Sequence, residues 1–294
     1  MKRLMGLLLG SSLLLAGSGI LSGQDNTAGN MPSPPKVLTI FREFLKPGKS
    51  GSIHEKSESA FVQAYARAKW PTHYFAVDSL SGKPRSLFLV GYDSFDAWEK
   101  DNLATQKNAT LSAALDRAGS ADGDLLSDAD AALLVFREDQ SLNATVDIPH
   151  MRYFEISMYH VRPGHGKEWD DLVKLVMAAY QQIPDTHWAM YETRFSQLGH
   201  TYLVFTPRKS GAEIDDAFAR DKKFAEIMGE DGMKKLTDLE SAAIDTSQTN
   251  LFQFNPRMSY PPDGWVKADP DFWMPKAHMG AMAPKKSAAP PATQ

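Results

Sequence analysis

The residues best suited to chemistry are two histidines in matching settings. His73 stands between Thr72 and Tyr74, and His187 between Thr186 and Trp188. Each follows, by a few residues, a tyrosine that ends an apolar-periodic stretch, Tyr65 and Tyr180. An imidazole titrates near neutral pH, so it can act as general base, proton donor or haem ligand. It can equally pack with one ring nitrogen bonded to a backbone carbonyl. His73 and His187 are the candidate catalytic residues. A second set comes from an alternating segment. Tyr153, Glu155, Ser157 and Tyr159 interleave with Phe154, Ile156 and Met158, as on a strand with one polar and one apolar face. If the apolar face meets helices, the polar one lines an interior. Glu43 stands where Tyr159 does in an earlier copy of the segment. Tyr65, Tyr180, Glu43, Glu155 and Tyr159 are therefore the candidate ligand-binding residues.

Other clusters are read as structural. His160 and His165 flank Arg162-Pro163-Gly164. Their spacing across a turn is not that of a helical ligand pair, and no acidic third ligand is near, so no metal is expected. Asp122, Asp124, Asp128 and Asp130 lack the order of a calcium loop and read as a helix-capping acidic loop. Asn108-Ala109-Thr110 and Asn143-Ala144-Thr145 fit the glycosylation acceptor pattern, which matters only in a eukaryotic secretory host. Phosphate loops, serine-nucleophile elbows and paired-histidine zinc motifs are absent from the sequence.

The elements that must position these residues recur. A strand, a Lys46-Pro47-Gly48 turn, a helix over about 53–68, a hairpin over 73–92, a helix from Phe95 and a last strand at 133–137 form one series. A strand at 153–161, the Arg162-Pro163-Gly164 turn, a helix over 168–182, a hairpin over 187–207, a helix over 214–228 and a strand at 251–254 form the next. Matching residues lie about 115 positions apart. Each series reads β-α-β-β-α-β, with two helices on one sheet face and the other face bare. Two bare faces can bury each other, which gives a reason for two copies.

The chain has 294 residues, 43% hydrophobic and 23% charged, with a formal charge of −4. That is a globular composition without the basic excess that nucleic acid demands. Lys2 and Arg3 precede a short apolar run to Ala16 and then small residues, the pattern of an export signal. The expected location is thus periplasmic or extracellular, with no membrane association after cleavage. The absence of cysteine excludes disulfides, thiolate metal sites and cysteine nucleophiles. The expected layout is a signal peptide over 1–23, a linker over 24–36, units over 37–140 and 151–256, and an aromatic, proline-rich arm with a disordered tail over 257–294. The arm, carrying Trp265 and Trp273, is expected to pack irregularly over the surface.

Phe44-Leu45-Lys46-Pro47-Gly48 and Tyr159-His160-Val161-Arg162-Pro163-Gly164, each followed by an amphipathic helix, resemble the dimeric α/β-barrel superfamily. Asp93-Ser94-Phe95-Asp96-Ala97-Trp98 resembles the second-helix start of its NIPSNAP-like and antibiotic-biosynthesis-monooxygenase-like domains. The resemblance spans about residues 37–256. It implies an α+β fold of two tandem ferredoxin-like units packed sheet to sheet, a single-chain pseudo-dimeric barrel with a possible small-molecule pocket in each unit. It implies no single activity, because the superfamily includes monooxygenases, haem-degrading enzymes and dehydratases. The expected role is binding of a small, partly apolar molecule in the barrel, by a monomer or homo-oligomer, without an obligatory cofactor. Two rivals stand beside it: a cofactor-independent or haem-dependent monooxygenase-like enzyme, and a scaffold docking a partner through its C-terminal aromatic arm.

Overall fold

The structure, a computed structural model, describes residues 33–274. The expected signal peptide, most of the linker and the expected tail lie outside the described residues. Eight antiparallel strands close into a barrel in the order β1-β3-β2-β8-β5-β7-β6-β4. They are β1 (Val37–Leu45), β2 (Tyr74–Ser79), β3 (Arg85–Tyr92), β4 (Leu126–Phe136), β5 (Tyr153–Val161), β6 (Ala189–Phe195), β7 (Thr201–Arg208) and β8 (Ile244–Tyr260). Helices α1 (Ser52–Ala68), α2 (Phe95–Lys107) and α3 (Ala109–Asp122) belong to the first quartet of strands. Helices α4 (Gly166–Tyr180) and α5 (Gly211–Ala243) belong to the second, and α6 (Asp263–Ala268) and α7 (Pro270–Trp273) end the described chain. The α+β class and the barrel are as expected.

Local chemistry sets the boundaries. β1 and β5 both stop at a proline-glycine turn, with Gly48 at φ 75° and Gly164 at φ 85°, a conformation that glycine adopts without a Cβ penalty. Ser94 caps α2 by accepting a hydrogen bond from the Ala97 amide, and Asn108 caps α3 by accepting one from the Leu111 amide. α4 buries Trp169, Leu172, Val173 and Ala179, the apolar stripe of an amphipathic helix. Within the first quartet neighbours run β4-β1-β3-β2, and within the second β8-β5-β7-β6. The registers match: Ile40 opposes Leu89, and Ile156 opposes Phe205. Two seams, β2 with β8 and β4 with β6, close the ring and leave no open edge.

The barrel interior is filled. One buried cluster takes Leu38 and Ile40 from β1, Val77 from β2, Leu87 and Leu89 from β3, Ala132 and Leu134 from β4, Phe154 and Ile156 from β5, Tyr191 from β6, Leu203 and Phe205 from β7, and Phe252 and Phe254 from β8. This corrects the expected orientation of β5. Its apolar face points into the lumen, and its polar face, with Glu155 and Tyr159, meets the helices. The reason is solvation. Eight strand faces converge on a filled lumen, where an unpaired hydroxyl would cost roughly 2–7 kcal/mol and an unpaired carboxylate far more. The space beneath the helices has polar partners and an opening.

Four further expectations are corrected. The acidic run is not one loop: Asp122 ends α3 in a buried position, while Asp128 and Asp130 lie on β4, and Asp130 pairs with Arg42. β4 begins at Leu126, β8 extends from Ile244 to Tyr260, and α5 continues past Gly229 to Ala243. His73 and His187 precede their strands rather than start them. The C-terminal arm is not an irregular surface layer. Trp273 is 3% exposed within the barrel cluster, its Nε1 donating to the Pro149 carbonyl at 2.9 Å. Trp265 lies half-buried against Phe75 and Trp273, with ring centroids 5.5 and 5.1 Å away. Arg152 fastens the arm through Asp269 and stacks 3.9 Å from the Phe272 centroid. Among the described residues no helix is long and apolar enough to cross a membrane.

Candidate functional site

A cavity of about 560 Å³ lies between the outer face of the second quartet and its helices. β5 supplies Glu155, Ser157 and Tyr159; β7 supplies Val204, Thr206 and Arg208. α4 contributes Trp169, Leu172, Val173, Val176 and Tyr180, and α5 contributes Ile214, Phe218, Arg220, Asp221 and Glu240. Thr186, His187 and Trp188 close one side. α5 can cover the cavity from both ends because Gly229, at φ 61° and ψ −178°, breaks it into two segments.

Arg208 donates to the Glu155 carboxylate at 2.9 Å, and Tyr180 donates to Asp221 at 3.3 Å. Tyr180 also stacks on Phe224, its ring centroid 4.5 Å away. Burial, reinforced by Asp221, pushes the Tyr180 phenol up to about 12, and burial likewise raises Tyr159 and Glu240. The two phenols stay protonated at neutral pH. Three buried donors on the lining have no partner: Trp169 Nε1, Thr186 Oγ1 and Arg208 Nε. A buried donor without an acceptor carries a desolvation cost of about 1–3 kcal/mol.

The structure brings together Glu155, Tyr159, Tyr180 and His187, and separates them from the other expected site residues. His187 lines the cavity, but its Nε2 lies 2.9 Å from the Pro207 carbonyl, so that nitrogen carries the proton and the ring is held by packing and backbone. His73 is not its counterpart in environment. Its ring centroid is 4.7 Å from that of Tyr260, its Nδ1 is buried without a partner, and burial lowers its pKa. Tyr65 packs against Tyr74 and Tyr260 in an aromatic group, and burial followed by Asp101 raises its phenol to about 12.

Glu43 lies in a different place, under α1 and α3 of the first quartet. His54 and Glu58, one helical turn apart on α1, point with Glu43 of β1 and Asp122 of α3 toward one another. Their ligand-type atoms all lie within 4.8 Å of one another. From His54 Nε2 the distances are 3.1 Å to Glu43, 3.6 Å to Asp122 and 3.8 Å to Glu58. Burial opposes charge on His54, but the carboxylates of Asp122 and Glu43 outweigh it and raise the imidazole to about 10. Burial, then the charges of Glu43 and Asp122, raise Glu58 to about 9. Burial also raises Glu43, with His54 acting against it. The sequence reading missed His54, Glu58, Arg208 and Trp169. The four-residue spacing of His54 and Glu58 is the signal in the sequence; Glu43 and Asp122 join them only through tertiary packing. The expectation of no metal weighed the His160–His165 spacing, the acidic run from Asp122 to Asp130 and the lack of cysteine, but not His54 with Glu58.

No protein-family model matches the chain, and no curated protein is significantly similar to it. Solved structures match over most of their length. An anthrone oxidase-like protein is 14% identical, with 76% of this chain and 94% of that one covered at a TM-score of 0.49. A candidate monooxygenase from Fusobacterium nucleatum is 13% identical, with 75% and 93% covered at 0.48. A variant chlorite dismutase from Candidatus Nitrospira defluvii is 10% identical, with 77% and 94% covered at 0.45.

Proposed function

We propose that the cavity under α4 and α5 binds a small, partly apolar molecule that carries acceptor oxygens. The observation that supports this best is an apolar-walled cavity that also carries the Arg208–Glu155 pair and, on the residues around it, three buried donors without a partner, Trp169 Nε1, Thr186 Oγ1 and Arg208 Nε, which a shift of side chains on binding would offer to an acceptor. The site belongs between sheet and helices and not in the filled lumen. We read the two strand quartets as tandem ferredoxin-like units of NIPSNAP-like kinship, and the N-terminal sequence as an export signal that delivers the chain to the periplasm or beyond. The test of binding is calorimetry with 2-naphthoate, an aromatic probe whose head group only accepts hydrogen bonds. One saturable site per chain is expected. Val204→Trp, which fills the cavity, abolishes it, and Trp169→Phe, which removes one donor at similar shape, weakens it several-fold. Absence of saturable binding, or binding indifferent to Val204→Trp, overturns the reading.

The enzyme alternative, a monooxygenase-like activity, draws its support from the resemblance of the strand-turn-helix motifs. Its haem-using form requires an axial ligand. His187 is the histidine at the cavity, and its Nε2 is committed to the Pro207 carbonyl. As arranged, His187 does not offer its Nε2 to a haem iron. The scaffold alternative required an exposed aromatic arm; Trp273 is buried and the arm serves the barrel's own packing.

A further inference from the structure

We propose that Glu43, His54, Glu58 and Asp122 form a binding site for one divalent first-row transition-metal ion of the Mn(II), Fe(II) or Zn(II) class. Proximity of acidic groups is not sufficient for such a site; two further observations point to a cation. The first is the orphaned oxygens. Glu58 is 3% exposed and Asp122 2% exposed, yet Glu58 Oε1 and both Asp122 carboxylate oxygens have no hydrogen-bond partner. A buried carboxylate without donors is costly unless a cation lies against it.

The second is the direction in which His54 is held. Ser86, fully buried, donates its hydroxyl hydrogen to Asp78, whose other carboxylate oxygen accepts from Asn255 Nδ2 at 2.7 Å. The Ser86 hydroxyl hydrogen is thereby spent. Its 3.3 Å contact with His54 Nδ1 requires the ring to donate there. With a proton on Nδ1, the lone pair of a neutral imidazole is on Nε2, directed at three carboxylates. Without an ion, Nε2 can meet the Glu43 carboxylate at 3.1 Å only by carrying a second proton, and a metal ion would take that proton's place. Metal-ligating histidines are characteristically held in this way, with the second ring nitrogen donating to an oriented acceptor.

Size and donor type agree. Ligand atoms about 2.0–2.2 Å from an ion stand roughly 3–4 Å from one another, and the separations from Nε2 are 3.1, 3.6 and 3.8 Å. Carboxylates suit Mn(II), imidazole suits Fe(II) and Zn(II), and Mg(II) and Ca(II) favour all-oxygen shells. The ion would join β1, α1 and the end of α3. The second quartet has no such group: Tyr159 stands where Glu43 does, and its α4 neighbours Trp169 and Val173 line the cavity.

The test uses the whole chain, stripped with EDTA and titrated separately with ZnCl2, MnCl2 and MgCl2. One Zn(II) or Mn(II) per chain is expected, with a raised melting temperature and weaker binding of Mg(II). Pulsed EPR of the Mn(II)-loaded chain should show coupling to a histidine nitrogen. Glu58→Gln with Asp122→Asn replaces two carboxylate ligands by amides of similar shape and should keep the fold while weakening binding at least ~100-fold; Ser86→Ala should weaken it about 10–100-fold by releasing the ring. If the wild-type chain takes up neither ion, if Mn(II) shows no histidine coupling, or if the double variant binds as tightly as wild type, the proposal is wrong.

Discussion

Arg208 is the side chain on which the pocket's polarity turns. It is buried, donates to Glu155 and keeps its Nε free. Arg208→Met leaves Glu155 without its counter-ion in a partly buried position. The expected loss is about 2 kcal/mol, below the 3–5 typical of fully buried pairs, and urea denaturation measures it; an unchanged midpoint would contradict the pairing. His73 makes a pH prediction. Burial lowers its pKa in the folded chain from the ordinary 6.5. The unfolded chain therefore binds more protons as pH falls past 6.5, so His73's contribution is present above that pH and is lost on acidification toward the folded pKa. His73→Phe keeps a ring against Tyr260 and should lose less stability than wild type between pH 7.5 and 5.5; equal losses would refute it. Tyr65, Tyr180 and the two histidines were legible because they recur in sequence. Their surroundings were not, because Pro207 and Tyr260 reach them only through tertiary pairing.

Among the elements, α5 departs most from its sequence pattern. The helix expected over 214–228 runs on past Gly229, and Leu236, Leu239 and Ala243 continue an apolar stripe that docks on the second quartet. Gly229 absorbs the change of direction at φ 61°, and a Cβ there would meet nothing within 4 Å. Gly229→Ala thus tests backbone conformation alone. It should cost about 1–3 kcal/mol and weaken 2-naphthoate binding, since both segments of α5 line the cavity; wild-type behaviour in denaturation and calorimetry would show that the break is dispensable. The proline-glycine turns after β1 and β5 were legible because only a glycine-compatible turn follows such strands. The length of β8 was not, since its polar first half is stabilised by pairing with β5 and not by its own hydrophobicity.

At the scale of the molecule, the alternation on β5 showed two faces but not which one turned inward. That choice is made by all eight strands together, which send apolar residues to one lumen. Trp273 completes that cluster from the C-terminal arm. Trp273→Ala should cost about 3–5 kcal/mol, as expected for a large aromatic removed from a core, read from the denaturation midpoint; a loss below about 1 kcal/mol would mean the arm is peripheral. The separation of a dry lumen from functional space beneath the helices is tested most directly by xenon in pressurised crystals, since xenon enters apolar cavities. Anomalous density is expected between Val173, Val176 and Val204, with none among Ile40, Phe154 and Phe254. Xenon within the barrel cluster and none under α4 and α5 would contradict it.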